Sequence, residues 1–324
     1  SRADPPLQLG RLRATGQLTE IRAAHLRFDE PEANRLLETT LSLDLEPTTG
    51  RLLWERTEGW PAGLYLAGLS IREHPDPNGF AERFAGNDRN IAEYLTQEIL
   101  DAQSPRRSTF LLRTSILDRL TASLCDVVVG EPGSQAVLQE LERANLFVIP
   151  LDGEGQWFRY HRLFGDWLRH ELAIREPGTV AELHLRASRW HREHGSHPSA
   201  IDHALLAGDV ALAADAIEDF FYLADYGDRA TTSRLAAIPD EITMARPRLA
   251  LARAVDEIAN GHIKDAARWL EAAERLGEDA PGGVAEAELL IARGTYLRFS
   301  GDIGRAAATT RRAVTAAGEV SAEA

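Results

Sequence analysis

The feature that most restricts this chain is a turn that recurs three times in its second half. Gly208-Asp209-Val210, Gly261-His262-Ile263 and Gly301-Asp302-Ile303 each precede a helix-forming run, and each is followed at the same offset by a small residue, Ala213, Ala266 and Ala306. The run Ala266-Ala267-Arg268-Trp269-Leu270-Glu271-Ala272-Ala273 shows the form of the helix that follows. A helix pair that cannot bury its apolar face alone must stack on its neighbours, so repetition of this kind implies a helical solenoid. Gly261 and Gly301 stand 40 residues apart. The interval from Gly208 to Gly261 is wider, which calls for an extra helix or a long loop.

The first half reads differently. Residues 1–28 read as a loop with one short strand at Leu18-Thr19-Glu20-Ile21. Residues 29–75 read as three helices. Asp29-Glu30-Pro31-Glu32 opens the first, with a capping carboxylate, a first-turn proline and acidic groups at the positive helix end. Glu46-Pro47 opens the second and Gly59-Trp60-Pro61 ends it, and Ala62 to Ile71 is an apolar, buried third helix. His74-Pro75-Asp76-Pro77-Asn78-Gly79 reads as a break. Residues 88–103 form an amphipathic helix with Ile91, Tyr94, Leu95, Ile99 and Leu100 on one stripe. Helices at 105–113, 122–128 and 134–144, a hairpin of 147–151 with 156–160, and a helix over 161–174 together describe a winged-helix-like module. The fold class is therefore mainly α: a helical lid (29–103), a winged-helix-like module (104–175) and helical repeats (176–324).

Composition excludes several functions. With 36 basic and 50 acidic side chains the net charge is -14. Phosphate backbones are held mainly by Lys and Arg, so direct charge-driven DNA binding is not expected. Lys264 is the only lysine, and its setting His262-Ile263-Lys264-Asp265-Ala266 is not the Gly-rich loop with Lys and Ser/Thr that cradles phosphates. Met244 is the only methionine, so Ser1 reads as a processed or cut end. Cys125 is the only cysteine, which rules out an intrachain disulfide and fits a cytoplasmic setting. No apolar run is long enough to span a membrane. No nucleophile-base or paired-carboxylate pattern supports catalysis by this chain.

Three segments, in order, carry a resemblance: Asp4-Pro5-Pro6-Leu7 with Gly16-Gln17-Leu18-Thr19-Glu20-Ile21-Arg22; Glu58-Gly59-Trp60-Pro61-Ala62-Gly63-Leu64; and Phe158-Arg159-Tyr160-His161-Arg162-Leu163-Phe164. Together they resemble the MalT-like, or large LuxR-type, regulators among the signal-transducing ATPases with numerous domains. The repeats look like the tetratricopeptide pattern with a longer spacing, and Gly294 matches the small residue that lets paired helices approach. Such regulators combine a P-loop ATPase domain, a lid, a winged helix, a repeat-built sensor arm and a C-terminal DNA-binding helix-turn-helix. The resemblance implies that residues 1–28 are the tail of the ATPase domain. It also implies that the chain starts after the P-loop and ends inside the arm, so DNA would be met only through a domain beyond it.

Residue by residue, the resemblance places Arg2 where the family carries a sensor arginine for the terminal phosphate. Trp60-Pro61 falls at the lid segment that packs on adenine, although a helix-breaking turn with a buried Trp explains the pair equally well. His161 matches the winged-helix histidine that contacts the β-phosphate of ADP, with Arg162 where the motif often has Asp. The plainer alternative for His161 is a packing role between hairpin and helix. ATP or ADP is thus expected as cofactor of the longer protein, with no cofactor for this chain alone. An inducer or protein partner is expected on the repeat arm, and self-association in the active state. His184, His191, His194, His197 and His203 crowd one region, but neither a cysteine nor a carboxylate pattern completes a metal site, so none is expected. Trp269, Tyr296, Phe220, Phe221 and Tyr222 read as core of the repeats, with one or two left for a ligand-facing surface. Two other readings fit the same residues: a plain helical-repeat interaction module, and the same core behind another effector such as a protein kinase.

Overall fold

The computed structural model describes residues 9–19, 21, 23–72, 74–220, 226–277 and 286–323. The chain divides into two compact units, Ser1–Leu183 and His184–Ala324. Among the described residues the sheet content is one two-stranded hairpin, and no helix is long and apolar enough to cross a membrane.

The first unit opens with short helices α1 (Leu9–Ala14) and α2 (Ala23–Leu26). The strand expected at 18–21 does not form at Leu18, Thr19 or Ile21. Alternation over four residues is not enough without a neighbouring edge to pair with. Helix α3 (Glu30–Arg35) starts on a complete capping box: the Asp29 carboxylate accepts from the Glu32 amide at 2.8 Å, and the Asp29 amide donates back to Glu32 at 3.0 Å. It runs into a π-helical turn (Leu36–Thr40) that buries Leu37. Helices α4 (Pro47–Thr57) and α5 (Pro61–Arg72) follow, and α5 buries Leu64, Ala67 and Ile71. The break at 74–79 turns out to contain the start of α6 (Pro77–Arg83). Asp76 accepts from the Gly79 amide at 3.0 Å, so the Asp-Pro pair begins a helix rather than only ending one. Helix α7 (Arg89–Leu95) is capped by Asp88 and continues through a second π-helical turn (Thr96–Leu100).

The winged-helix module comprises α8 (Pro105–Thr114), α9 (Ala122–Val129), α10 (Ser134–Arg143), β1 (Val148–Pro150), β2 (Phe158–Tyr160) and α11 (Arg162–Arg175). The strands pair antiparallel, Val148 opposite Tyr160 and Pro150 opposite Phe158. The return strand is shorter than expected because Asp152 captures the amides of Gln156 at 3.0 Å and Trp157 at 2.9 Å. Phe158, Phe164, Trp167, Leu111, Leu120 and Leu124 are fully buried in this module, and the Tyr160 hydroxyl meets Thr114 Oγ1 at 2.7 Å. One close approach fixes the lid on the wing. A methyl group at Gly86 would lie 2.0 Å from the Leu163 carbonyl oxygen and 2.5 Å from the Trp167 amide nitrogen.

Helix α12 (Val180–Glu193) is followed by α13 (His197–Leu206), α14 (Val210–Phe220), α15 (Arg229–Ala236), α16 (Asp240–Ala245), α17 (Pro247–Ala259), α18 (Ile263–Leu276), α19 (Glu286–Phe299) and α20 (Ile303–Glu323). The three repeated turns join α13 to α14, α17 to α18 and α19 to α20, and each joined pair packs together. Gly208, Gly261 and Gly301 are all left-handed, with φ of 76°, 80° and 93°. The amide after each glycine closes back on the helix it ends: Asp209 to the Ala204 carbonyl, His262 to Glu257 and Asp302 to Leu297, at 2.8–3.0 Å. Ala213, Ala266 and Ala306 are buried at the pair contacts. A methyl at Gly294 would come within 2.8 Å of Thr310 Oγ1, which is why α19 and α20 need a glycine there. The wide interval holds the extra helices α15 and α16. The core of this unit gathers Trp269, Leu270, Leu249, Leu235 and Ile201.

Candidate functional site

The lid turns sharply at the end of α4. Glu58 and Gly59 are consecutive left-handed residues, with φ of 49° and 70°. Gly59 is required for two reasons: its positive φ, and a Cβ there would sit 2.3 Å from the Phe28 carbonyl oxygen. The turn is held by Phe28 N–H donating to Gly59 O at 2.8 Å and Trp60 N–H to Thr57 O at 2.9 Å. Pro61 then starts α5 at a position that needs no amide donor.

This turn meets the strand-to-helix junction of the wing. Arg159 on β2 makes a two-pronged ion pair with Glu58, Nη1 to Oε1 at 2.7 Å and Nη2 to Oε2 at 2.8 Å. The Arg162 amide, at the start of α11, donates to Glu58 Oε1 at 2.9 Å. Arg27 approaches the same carboxylate at 3.6 Å. Burial pushes the Glu58 carboxyl up, but the Arg159 bonds, the His161 ring and the Arg162 amide outweigh it and hold the group at about 2. Beside it, His161 Nε2 donates to the Thr57 carbonyl at 2.9 Å. Burial lowers the basicity of His161 below its ordinary value; Glu58 and the Thr57 bond oppose this without offsetting it, and Arg27 and Arg159 add to the lowering. With Nε2 committed as a donor, Nδ1 is left as the free ring position, and it is buried with no hydrogen-bond partner.

Trp60, Pro61 and His161 line one cavity of about 420 Å³, together with Leu26, Arg27, Ala62, Asn145, Phe147, Val148 and Ile149. Three of its rings meet edge to face. Trp60 and Phe147 lie 5.0 Å apart between centroids, Phe147 and His161 5.6 Å, and Trp60 and His161 6.0 Å. Asn145 and Phe147 both adopt left-handed backbone, with φ of 51° and 56°. Asparagine tolerates that conformation; for phenylalanine it costs about 1–2 kcal/mol, a strain retained on the wall of the cavity. The cavity offers an apolar wall of Trp60, Phe147, Val148 and Ile149. Arg27 and, once protonated, His161 Nδ1 supply donors to an anion.

Of the residues expected at a nucleotide site, Trp60, Pro61 and His161 thus share one cavity, and Arg2 lies outside the described residues. Glu58, Arg159, Arg27, Asn145 and Phe147 were not singled out from sequence. Glu58 and Arg159 sit in the two segments that carried the resemblance, yet they are 101 positions apart, and no local periodicity pairs them.

The histidine-rich region is a packed cluster. His184 and His203 face each other through Nδ1 atoms at 2.8 Å, His191 stacks on His203 at 5.4 Å, and His194 stacks on Trp190 at 3.9 Å. Among the described residues no group of three or more His, Cys, Asp or Glu could hold a metal ion. Trp269 is fully buried, Phe220 packs near His197, and Tyr296 lies under Arg293. Phe221 and Tyr222 fall outside the described residues.

Residues 96–180 match the MalT winged helix domain. Serine/threonine-protein kinase PknK of Mycobacterium tuberculosis (strain ATCC 25618 / H37Rv) is 37% identical over 248 residues, which is 76% of this chain and 22% of the kinase. HTH-type transcriptional regulator MalT of Yersinia enterocolitica is 35% identical over 261 residues, 78% of this chain and 29% of the regulator. Among solved structures, a signal transduction ATPase with numerous domains and a tetratricopeptide repeat sensor, from Pyrococcus horikoshii, covers 91% of this chain and 42% of its own length, at 14% identity and a TM-score of 0.49. The chain spans less than a third of either curated relative. Its resemblance to MalT-like regulators, anticipated from the three segments, is borne out.

Proposed function

We propose that this chain is the regulatory core of a nucleotide-dependent, signal-responsive regulator. In this reading the lid and wing close over the adenine side of ATP or ADP whose phosphates are cradled by a P-loop domain, and the second unit reads an inducer or protein partner. The observation that carries the reading is the convergence of Trp60, Pro61 and His161 on one cavity, with a buried, unpartnered imidazole nitrogen in its wall. Burial disfavours a proton on Nδ1; the negative charge of a phosphate, together with the nearby Glu58 carboxylate, offsets that burial, so that Nδ1 takes up a proton on binding and donates to a phosphate oxygen. The bonds from Thr57 and Glu58 to the wing keep that histidine in place. Nucleotide shifts such an equilibrium only by binding the closed arrangement more tightly than the open one, and a phosphate contact made by the wing supplies the difference.

The test is to release and quantify nucleotide from the purified full-length protein, wild type and His161→Ala, and to assay its output without inducer. Lower ADP occupancy with raised basal output is expected. Unchanged occupancy and output would leave His161 a packing residue. This chain alone, with no phosphate-binding loop of its own, binds ADP weakly or not at all in calorimetry; tight saturable binding would contradict the reading.

A second reading keeps the core and changes the effector. It is favoured by the 37% identity to a protein named as a serine/threonine kinase, beside 35% to one named as a helix-turn-helix regulator. The codons flanking this segment in its gene decide between a kinase domain and a DNA-binding domain.

A further inference from the structure

The second unit contains a cavity of about 500 Å³ between α17 and α19. Its walls are Leu251, Val255 and Ile258 from one helix and Ile291, Ala292 and Phe299 from the other. Ile291 and Phe299 are each 56% exposed there, well beyond what core residues of a helical repeat show. Polar groups are few. The Thr295 hydroxyl is used within its own helix, donating to the Ile291 carbonyl at 2.9 Å. Glu288 is different: its Oε2 is buried and has no hydrogen-bond partner. A second carboxylate acts on the same tyrosine of the cavity, Tyr226. Asp256 is fully buried, with Oδ1 accepting from Gly227 N–H and Thr232 Oγ1 at 3.0 Å each and Oδ2 unpartnered. Tyr226, which also lines the cavity, registers both. Burial holds its phenol above the ordinary range, the charges of Asp256 and Glu288 add to this, and Arg248 opposes them. No lysine or arginine is among the described residues lining the cavity.

We propose that this cavity binds a small monocationic amphiphile, an alkyl or arylalkyl amine, with its apolar body between α17 and α19 and its ammonium on Glu288. A buried carboxylate oxygen without a partner is costly, and a ligand ammonium supplies the missing charge and donors. An anion meets two carboxylates in a chain of net charge -14. A sugar would leave most of its hydroxyls unpaired against the apolar walls. The proposal gives a chemistry to the ligand-reading role suggested above for the second unit. Its test reads binding alone, so failure here leaves the nucleotide reading untouched, and the reverse.

The experiment is calorimetric titration of the whole chain with n-hexylamine, n-hexanol and hexanoate at neutral pH. Hexylamine is expected to bind at least tenfold more tightly than hexanol, with hexanoate weakest. Each methylene added to the amine tightens binding about fourfold. Glu288→Gln abolishes the preference for amine over alcohol while leaving hexanol affinity in place, and Phe299→Ser weakens all ligands. Equal affinity for amine and carboxylate, no binding of the amine, or an amine affinity unchanged in Glu288→Gln each overturns the proposal. Should Glu288→Gln fail to fold by circular dichroism, Phe299→Ser carries the test, and an unchanged amine affinity in that variant overturns it.

Discussion

Replacing Glu58 tests whether the lid is fastened to the wing as the bonds at the α4 turn imply. The carboxylate accepts three bonds of 2.7–2.9 Å, two from Arg159 and one from the Arg162 amide. A hydrogen bond to a charged group contributes about 1.5–3 kcal/mol. Arg159 is a third exposed, so solvent screens part of that. A coupling of about 2 kcal/mol between Glu58 and Arg159 is expected from a double-mutant cycle of Glu58→Gln, Arg159→Ala and both, read by urea unfolding at pH 7. The sign with pH follows from the depressed carboxyl, held at about 2 against an ordinary 4.5. Its stabilising effect is complete above the ordinary value and is lost as pH falls toward the lowered one. The gap between wild type and Glu58→Gln therefore narrows between pH 4.5 and pH 2. A coupling below about 0.5 kcal/mol, the usual error of additivity, would refute the idea that this pair fastens the two modules. So would a gap that is constant across that pH range.

Three further outcomes are expected. Burial, with His184 and His191 adding to it and Asp202 opposing, holds His203 at about 3 against an ordinary 6.5, so the unfolded chain takes up a proton that the folded one refuses; its share of stability is full above 6.5, falls by about 2 kcal/mol between pH 7 and pH 5, and shows as loss of hydrogen-exchange protection in α12 and α13 that His203→Gln reduces. Gly86→Ala forces a methyl into the backbone of α11 and lowers the unfolding free energy of the first unit by about 1–3 kcal/mol, measured in urea. Cys125 is fully buried, and its thiol is pushed above the ordinary range first by burial and then by Asp126, so iodoacetamide should label it only in denaturant, as mass spectrometry will show.

Much of the fold was legible because its signals are local. The Asp29 box, the positive-φ glycines after each repeat helix and the hairpin turn are all written within five or six residues of where they act. The misreadings have local causes too. Asp76-Pro77 serves equally to break one segment and to cap the next, and only the amide of Gly79 shows which. Asp152 shortens β2 by taking amides that alternation alone would give to the ladder. Trp60, Pro61 and His161 could be named from motif position, but their convergence depends on contacts across some hundred residues. Arg27, Asn145 and Phe147 reach the cavity from a loop and from strained backbone, which no periodicity marks. Nothing local distinguishes Glu288 and Asp256 from the other charges of these helices; their burial comes from elements remote in sequence.

The bonds that run from the α4 turn to the wing involve two adjacent residues, Thr57 and Glu58, and a stretch of four, Arg159 to Arg162. Bonds so concentrated share one lever arm. A small rotation of the lid about Gly59 lengthens all of them together, and none can be kept by sliding to a neighbouring partner. In the proposed opening of the lid these bonds are therefore lost together, the close approach of Gly86 to α11 must separate as well, and weakening any one member of the set eases the loss of the rest.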